Sequence, residues 1–101
     1  MTDAKEPQSR EQFQALRGEI DSVARQIIRL LNQRAAIAEK IGDVKKAAGL
    51  PVIELAREQE VVSKMVGLNE GPLPNASVQA IYERVMLEMR RIQEVRMKGN
   101  E

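Results

Sequence analysis

From Leu16 to Val44, apolar residues recur at alternating steps of four and three: Leu16, Ile20, Val23, Ile27 and Leu30, then Ile37, Ile41 and Val44. This is a heptad seam on a helix, and it commits a large part of a 101-residue chain to one rod. Ser9 and Gln12 have the spacing of a capping box, so the helix is expected to start there, with residues 1–8, including Pro7, as a flexible N-terminal tail. Gly49-Leu50-Pro51 reads as its end, a glycine C-cap followed by a residue that cannot continue the helix. Gly42 lies inside the run and weakens it without ending it. About forty residues at 1.5 Å each give a rod of about 55–60 Å. A compact domain of about 100 residues has a radius of gyration near only ~13 Å, so two shorter helices cannot cover the whole seam. A second copy of the chain is the simplest cover, and a homodimer is expected.

A second helix is expected over roughly Glu54 to Leu68, with Leu55, Val61, Val62 and Met65 facing inward. Residues 69–75, rich in Asn, Gly and Pro, form a turn. A third helix then carries Val78, Ile81, Tyr82, Val85, Met89 and Ile92 at three- and four-residue steps. Its basic last turns (Arg90, Arg91, Arg96, Lys98) read as a solvated helix end, with residues 97–101 as a C-terminal tail. No segment alternates with period two. The fold class is all-α, a three-helix chain with one very long first helix, and residues 9–96 form its single helical domain.

Composition removes whole classes of function. Sixteen Lys and Arg balance fifteen Asp and Glu, for a net charge of +1, which gives no broad surface for nucleic acid or anionic membrane. One Phe, one Tyr and no Trp leave no stacking platform for single strands. Without Cys or His there is no disulfide, no thiolate or Ser–His nucleophile and no zinc or iron–sulfur site, so no metal is expected. The polar first dozen residues carry no apolar signal core and no apolar run reaches membrane-spanning length, so a cytoplasmic protein is expected. What remains for chemistry is electrostatic: cations, carboxylates, amides and hydroxyls.

Polar residues interrupt the apolar faces of all three helices. Arg34 takes a seam position. Lys45, eleven residues on and close to three full turns away, projects from nearly the same side about 16 Å along the axis, a separation that two long side chains can close around a small anion. Glu54 and Glu58 lie beside the second helix's apolar stripe, and Gln93 continues the stripe of the third. Taken singly, each has a structural reading. Arg34 or Gln93 can set register, Lys45 can snorkel to the surface, and Glu54, Arg57 and Glu58 can form a surface ion-pair cluster. Their coincidence instead describes a polar pocket in a helical bundle, with an excess of cations suited to a small dianion. Arg17, at the seam's beginning, is about 25 Å from Arg34 along the axis and can join that pocket only from a second chain.

Leu16-Arg17-x-x-Ile20-Asp21, Leu30-Leu31-x-x-Arg34, Ile41-Gly42-x-x-Lys45, Pro51-Val52, Arg57-Glu58 and the late Gln93 together resemble the all-helical class of chorismate mutases. The match is ordered and covers roughly residues 13–93. It implies an intertwined homodimer of three-helix chains with sites shared between chains. It also implies conversion of chorismate to prephenate, the branch point of aromatic amino acid biosynthesis toward phenylalanine and tyrosine. That reaction is a Claisen rearrangement within one molecule, with no cofactor, no metal and no covalent intermediate.

Carried onto this chain, the resemblance implies that Arg34 and a second chain's Arg17 bind the two carboxylates. Lys45 and Gln93 would donate to the ether oxygen, and Glu58 would accept from the ring hydroxyl, with Glu54 and Arg57 shaping that end. Two positions depart from the family pattern. Glu54 stands where Asp is frequent, and Met89, among the substrate-binding positions, stands where some members have a small hydroxyl residue. The rival readings are an isochorismate-pyruvate lyase of the same fold and a helical dimerisation module without activity. The intact Arg57-Glu58 pair favours the mutase over the lyase.

Overall fold

The computed structural model describes residues 2–99, with side chains from residue 8 onward. The chain forms three helices: α1 (Thr2–Ala48), α2 (Leu55–Leu68) and α3 (Asn75–Lys98). No strand occurs among the described residues. No described helix is long and apolar enough to cross a membrane. Helix α1 begins at Thr2 rather than at Ser9, so the expected tail is helical and Ser9 lies inside the helix, with no capping to do. Ala4, Lys5 and Glu6 are good helix formers, and Pro7, which lacks one N–H, interrupts the hydrogen-bond ladder without ending it. Likewise α3 runs to Lys98, into the expected C-terminal tail, while Met1, Asn100 and Glu101 lie outside the described residues.

The chain divides into two compact units, Met1–Arg34 and Ala35–Glu101. The first unit is a single helical segment, and one helix has no core of its own. The second unit holds the end of α1 with α2 and α3, and its buried side chains are Ala38, Val61, Val78, Met86 and Met89 together with Lys45. Leu55 and Ile81, expected to face inward, are exposed. Leu55 is the first residue of α2, and Ile81 falls at the edge of the stripe running through Val78, Tyr82, Val85 and Met89.

The end of α1 has two faces. The seam residues Ile37, Ile41 and Val44 are exposed, as are Leu16, Ile20, Val23, Ile27 and Leu30; all eight expose between 43% and 69% of their area. The buried face is Ala38, Gly42 and Lys45, one residue further on and so about 100° around the helix. Small residues let a neighbouring backbone approach, and α3 does so. A Cβ at Gly42 would stand 3.2 Å from the Gln93 Cα, 3.3 Å from the Gln93 carbonyl oxygen and 3.1 Å from the Arg96 Cβ. Arg96 ties the same two helices together, donating from Nε and Nη2 to the Asp43 carboxylate at 2.9 and 2.7 Å and from Nη1 to Glu39 at 3.4 Å. It is therefore a cross-helix clamp on the exposed surface, and not merely a solvated helix end. The guanidinium holds the Asp43 carboxyl below the usual aspartate range.

The expected stop at Gly49 is a Schellman turn. Gly49 has φ of 67°, its N–H reaches the Lys46 carbonyl at 3.4 Å, and the Leu50 N–H donates to the Lys45 carbonyl at 2.8 Å. The turn before α3 is closed by Asn69, whose Nδ2 donates to the Leu73 carbonyl and to Asn75 Oδ1, each at 2.8 Å.

The close approach at Gly42 has a measurable signature. Gly→Ala in a helix is worth up to about 1 kcal/mol of propensity. Gly67→Ala, with nothing within 4 Å of the new methyl, should gain a fraction of that in urea unfolding. Gly42→Ala should gain nothing or lose stability, because the backbone of α3 must yield. Equal gains for the two variants would show that α3 does not press on Gly42.

Candidate active site

Lys45 leaves α1 one turn before the Schellman turn, from the face that packs inward, and only 6% of it is exposed. A buried ammonium needs a hydrogen-bond acceptor for each of its three protons. Lys45 Nζ has three. It donates to the Val52 carbonyl at 2.9 Å and to Gln93 Oε1 at 2.8 Å, and it pairs with Glu54 Oε1 at 2.7 Å. The snorkelling reading of Lys45 is thereby overturned: small neighbours on α1 and close acceptors on three segments leave no reason for the side chain to reach water.

Each acceptor is placed by a local feature. The turn at Gly49–Leu50 reverses the chain so that Val52 passes back over the Lys45 side chain. Glu54 is the N-cap residue of α2, and its longer side chain spans the distance to Lys45. Gln93 lies on α3 where Gly42 admits it. Because an ammonium only donates, Gln93 must turn its oxygen to Lys45, which leaves its amide N–H groups directed elsewhere and able to donate. Three of the expected site residues, Lys45, Glu54 and Gln93, thus meet. The Lys45 ammonium, by direct hydrogen bond and by charge, holds the Glu54 carboxyl below the usual glutamate range.

Glu58 has an unforeseen partner of its own. Arg90 of α3 donates from Nε to Glu58 Oε2 and from Nη2 to Glu58 Oε1, both at 3.0 Å, and both side chains are largely shielded. This corrects the expectation that Arg90 belongs to a solvated helix end. Its position three residues before Gln93 is the available signal, since that spacing puts both side chains on one flank of α3. Arg57 makes no direct ion pair with Glu54 or Glu58, although its charge adds to that of Lys45 in lowering the Glu54 carboxyl. It is exposed and pairs with Glu60 at 3.1 Å, one turn along α2. Met89 is buried in the core one turn before Gln93. In the first unit, Arg34 is half-buried, and Arg17 is exposed with its guanidinium 4.2 Å above the Phe13 ring. Among the described residues, no group of three or more Asp or Glu side chains is placed to hold a metal ion.

A buried lysine, an oriented amide and a fixed carboxylate make a site that can donate to an uncharged or partly charged oxygen and accept from a hydroxyl. The chain has no His and no Cys to offer it, so its means are placement and charge.

Residues 16–94 match the chorismate mutase type II family. The chain is 38% identical over 80 residues to the bifunctional chorismate mutase/prephenate dehydratase of Aquifex aeolicus (strain VF5), covering 75% of this chain and 22% of that protein. It is 40% identical over 72 residues to the protein of the same name from Neisseria gonorrhoeae (strain ATCC 700825 / FA 1090), covering 71% and 19%. The chain thus spans about a fifth of the length of these curated relatives. Among solved structures, form II of the chorismate mutase from Thermus thermophilus superposes with a TM-score of 0.80 at 31% identity, covering 82% of this chain and 94% of that one. Form I gives a TM-score of 0.75 at 32% identity, covering 77% and 98%.

The depressed Glu54 titration gives the site a pH dependence with a fixed sign. A carboxylate stabilised in the folded state contributes at neutral pH, and the contribution is lost as pH falls through the lowered folded value. In a carbon-13 NMR titration, the Glu54 carboxyl should titrate below the free glutamate value of about 4.3. In Lys45→Met it should return toward that value. A wild-type midpoint at or above about 4.3 would mean that the ion pair with Lys45 does not persist in solution.

Proposed function

The chain belongs to the chorismate mutase type II family, and we propose that it converts chorismate to prephenate by electrostatic means, as a homodimer whose sites draw residues from both copies. The observation that carries this reading is the Lys45–Gln93 pair: a buried ammonium 2.8 Å from an amide whose N–H groups are thereby turned outward. In the rearrangement one C–O bond breaks and one C–C bond forms within a single molecule, and no proton is transferred. Negative charge grows on the ether oxygen as its bond to carbon lengthens. Two donors fixed in a largely dehydrated site stabilise that charge without having to reorganise.

In this reading each residue has one task. Lys45 and Gln93 donate to the ether oxygen. Two of the Lys45 N–H groups keep their hydrogen bonds to the Val52 and Gln93 carbonyls, and the third, which faces the half-exposed Glu54 in the free chain, donates to the substrate instead. Arg34 and, from the second copy, Arg17 bind the two carboxylates of the dianion and hold it in a chair-like reactive conformer. Glu58 accepts from the ring hydroxyl, and Glu54 and Arg57 border that end. Met89, buried beneath the turn that carries Gln93, supplies packing and no side-chain hydroxyl. The uncovered seam from Leu16 to Val44 supports the homodimer, since eight exposed apolar side chains at heptad spacing call for a matching surface.

The direct test is incubation of the purified protein with chorismate, measuring its loss and the appearance of prephenate; salicylate and pyruvate from isochorismate would identify a lyase instead. Lys45→Met keeps the aliphatic length and should remain helical by circular dichroism. Loss of the charged donor should cost roughly 3–4 kcal/mol in the transition state, two to three decades in rate. Near-normal turnover of a folded Lys45→Met protein would remove Lys45 from the ether-oxygen role.

The shared site has a test of its own. Arg17→Ala and Arg34→Ala homodimers should each be nearly inactive. A mixture unfolded and refolded together should regain about a quarter of wild-type activity, because half of the dimers are mixed and each of these has one site with both arginines. A mixture as inactive as its parents would show that Arg17 does not act across the dimer.

A further inference from the structure

Glu58 is the proposed acceptor for the ring hydroxyl, and the role assigned to its partner rests on that reading. A free glutamate on a helix surface samples many rotamers, and a substrate that needs one of them must first pay for fixing it. Glu58 is not in that condition. Arg90 grips both of its oxygens at 3.0 Å with two parallel N–H bonds, in a place where both side chains are at least three-quarters shielded from solvent. Such a fork fixes the carboxylate plane as well as its position. A carboxylate offers about four lone-pair directions, and the fork uses one on each oxygen, so each keeps one for a further donor.

We propose that Arg90 is a positioning residue: it holds the Glu58 carboxylate in the orientation that receives the substrate's ring hydroxyl, and thereby sets how well the site distinguishes a substrate with that hydroxyl from one without it.

The neighbouring cations of the second unit have other commitments. Arg57, adjacent to Glu58 in sequence, is exposed and paired with Glu60. Lys45 is committed to Val52, Gln93 and Glu54. Arg90 is anchored by Met89, buried in the core beside it in sequence, and it precedes Gln93 by three residues. One turn of α3 therefore places both the amide that faces the ether oxygen and the guanidinium that aims the carboxylate. The pairing also offsets the Glu58 charge, which would otherwise stand uncompensated against a dianionic substrate. The Glu58 carboxylate in turn raises the Arg90 guanidinium above its ordinary value.

The experiment compares kcat/KM for chorismate and for the analogue lacking only the ring hydroxyl, in wild type, Glu58→Gln, Arg90→Met and Arg90→Lys, each confirmed folded by circular dichroism. Wild type should prefer chorismate. Arg90→Met should lose at least about fivefold of that preference, mostly through KM for chorismate, with the analogue's kcat/KM little changed. Arg90→Lys, which restores charge without the fork, should recover part of it, and it serves as the test if Arg90→Met does not fold. A merely structural Arg90 would lower the unfolding midpoint and leave the preference of the folded enzyme intact. That result, alongside a Glu58→Gln variant that loses the preference, overturns the role of Arg90 and leaves the reading of Glu58 standing. A Glu58→Gln variant with wild-type preference overturns both, and absence of chorismate turnover in wild type overturns the functional reading beneath them.

Discussion

An ammonium group held inside a layer of packed helices has to find acceptors for three protons, and much of this chain's second unit can be understood as the means of supplying them to Lys45. The Schellman turn at Gly49 returns the chain so that the Val52 carbonyl is within 2.9 Å. The N-cap of α2 contributes Glu54, and α3 contributes the Gln93 oxygen. Had any one of these been missing, the cation would have been left partly unsatisfied at a cost of about 1–3 kcal/mol or more. Gly42 favours the arrangement, because a Cβ there would press on the α3 backbone at Gln93 at 3.2–3.3 Å. Fold and site are one construction in this region.

The helices themselves are legible in the sequence because their signals are local. The seam spacing, the Gly-Leu-Pro stop and the Asn/Gly/Pro turn between α2 and α3 are each readable within a few residues. The start of α1 is the exception, where a capping box and a proline draw attention away from the good helix formers ahead of them. The polar cluster is legible in part. Lys45, Glu54 and Gln93 can be nominated because each interrupts or borders an apolar stripe, a pattern visible along one helix. The Glu58–Arg90 fork and the Arg96–Asp43 clamp cannot, since such pairs join residues 32 and 53 positions apart and depend on how α1, α2 and α3 pack. A charged residue near a helix C-terminus looks the same in sequence whether it meets solvent or a carboxylate on the neighbouring helix.

The two positions where this chain departs from the family pattern both have a structural use in the free chain. With Glu in place of Asp at position 54, the extra methylene does not leave a misplaced carboxylate, because the longer side chain reaches Lys45 at 2.7 Å. Met89 is absorbed differently, as core volume beneath the site. The charges within the second unit are also matched, Glu54 against Lys45 and Glu58 against Arg90.

The two faces of α1 have a consequence for how this sequence can change. Between residues 35 and 48 the inward set (Ala38, Gly42, Lys45) and the outward apolar set (Ile37, Ile41, Val44) are written in the same spacing, offset by one residue. Substitutions can be made on either face without disturbing the other. A one-residue insertion or deletion between them cannot, because it rotates everything beyond it by about 100°. Ahead of Gly42, an insertion would bring Ile41, and a deletion Asp43, to the place where α3 packs closest, and either would turn Lys45 away from its acceptors. The length of this segment is therefore under tighter constraint than the identity of most of its residues, and variation in it should be confined to replacement, with indels found only outside the paired registers.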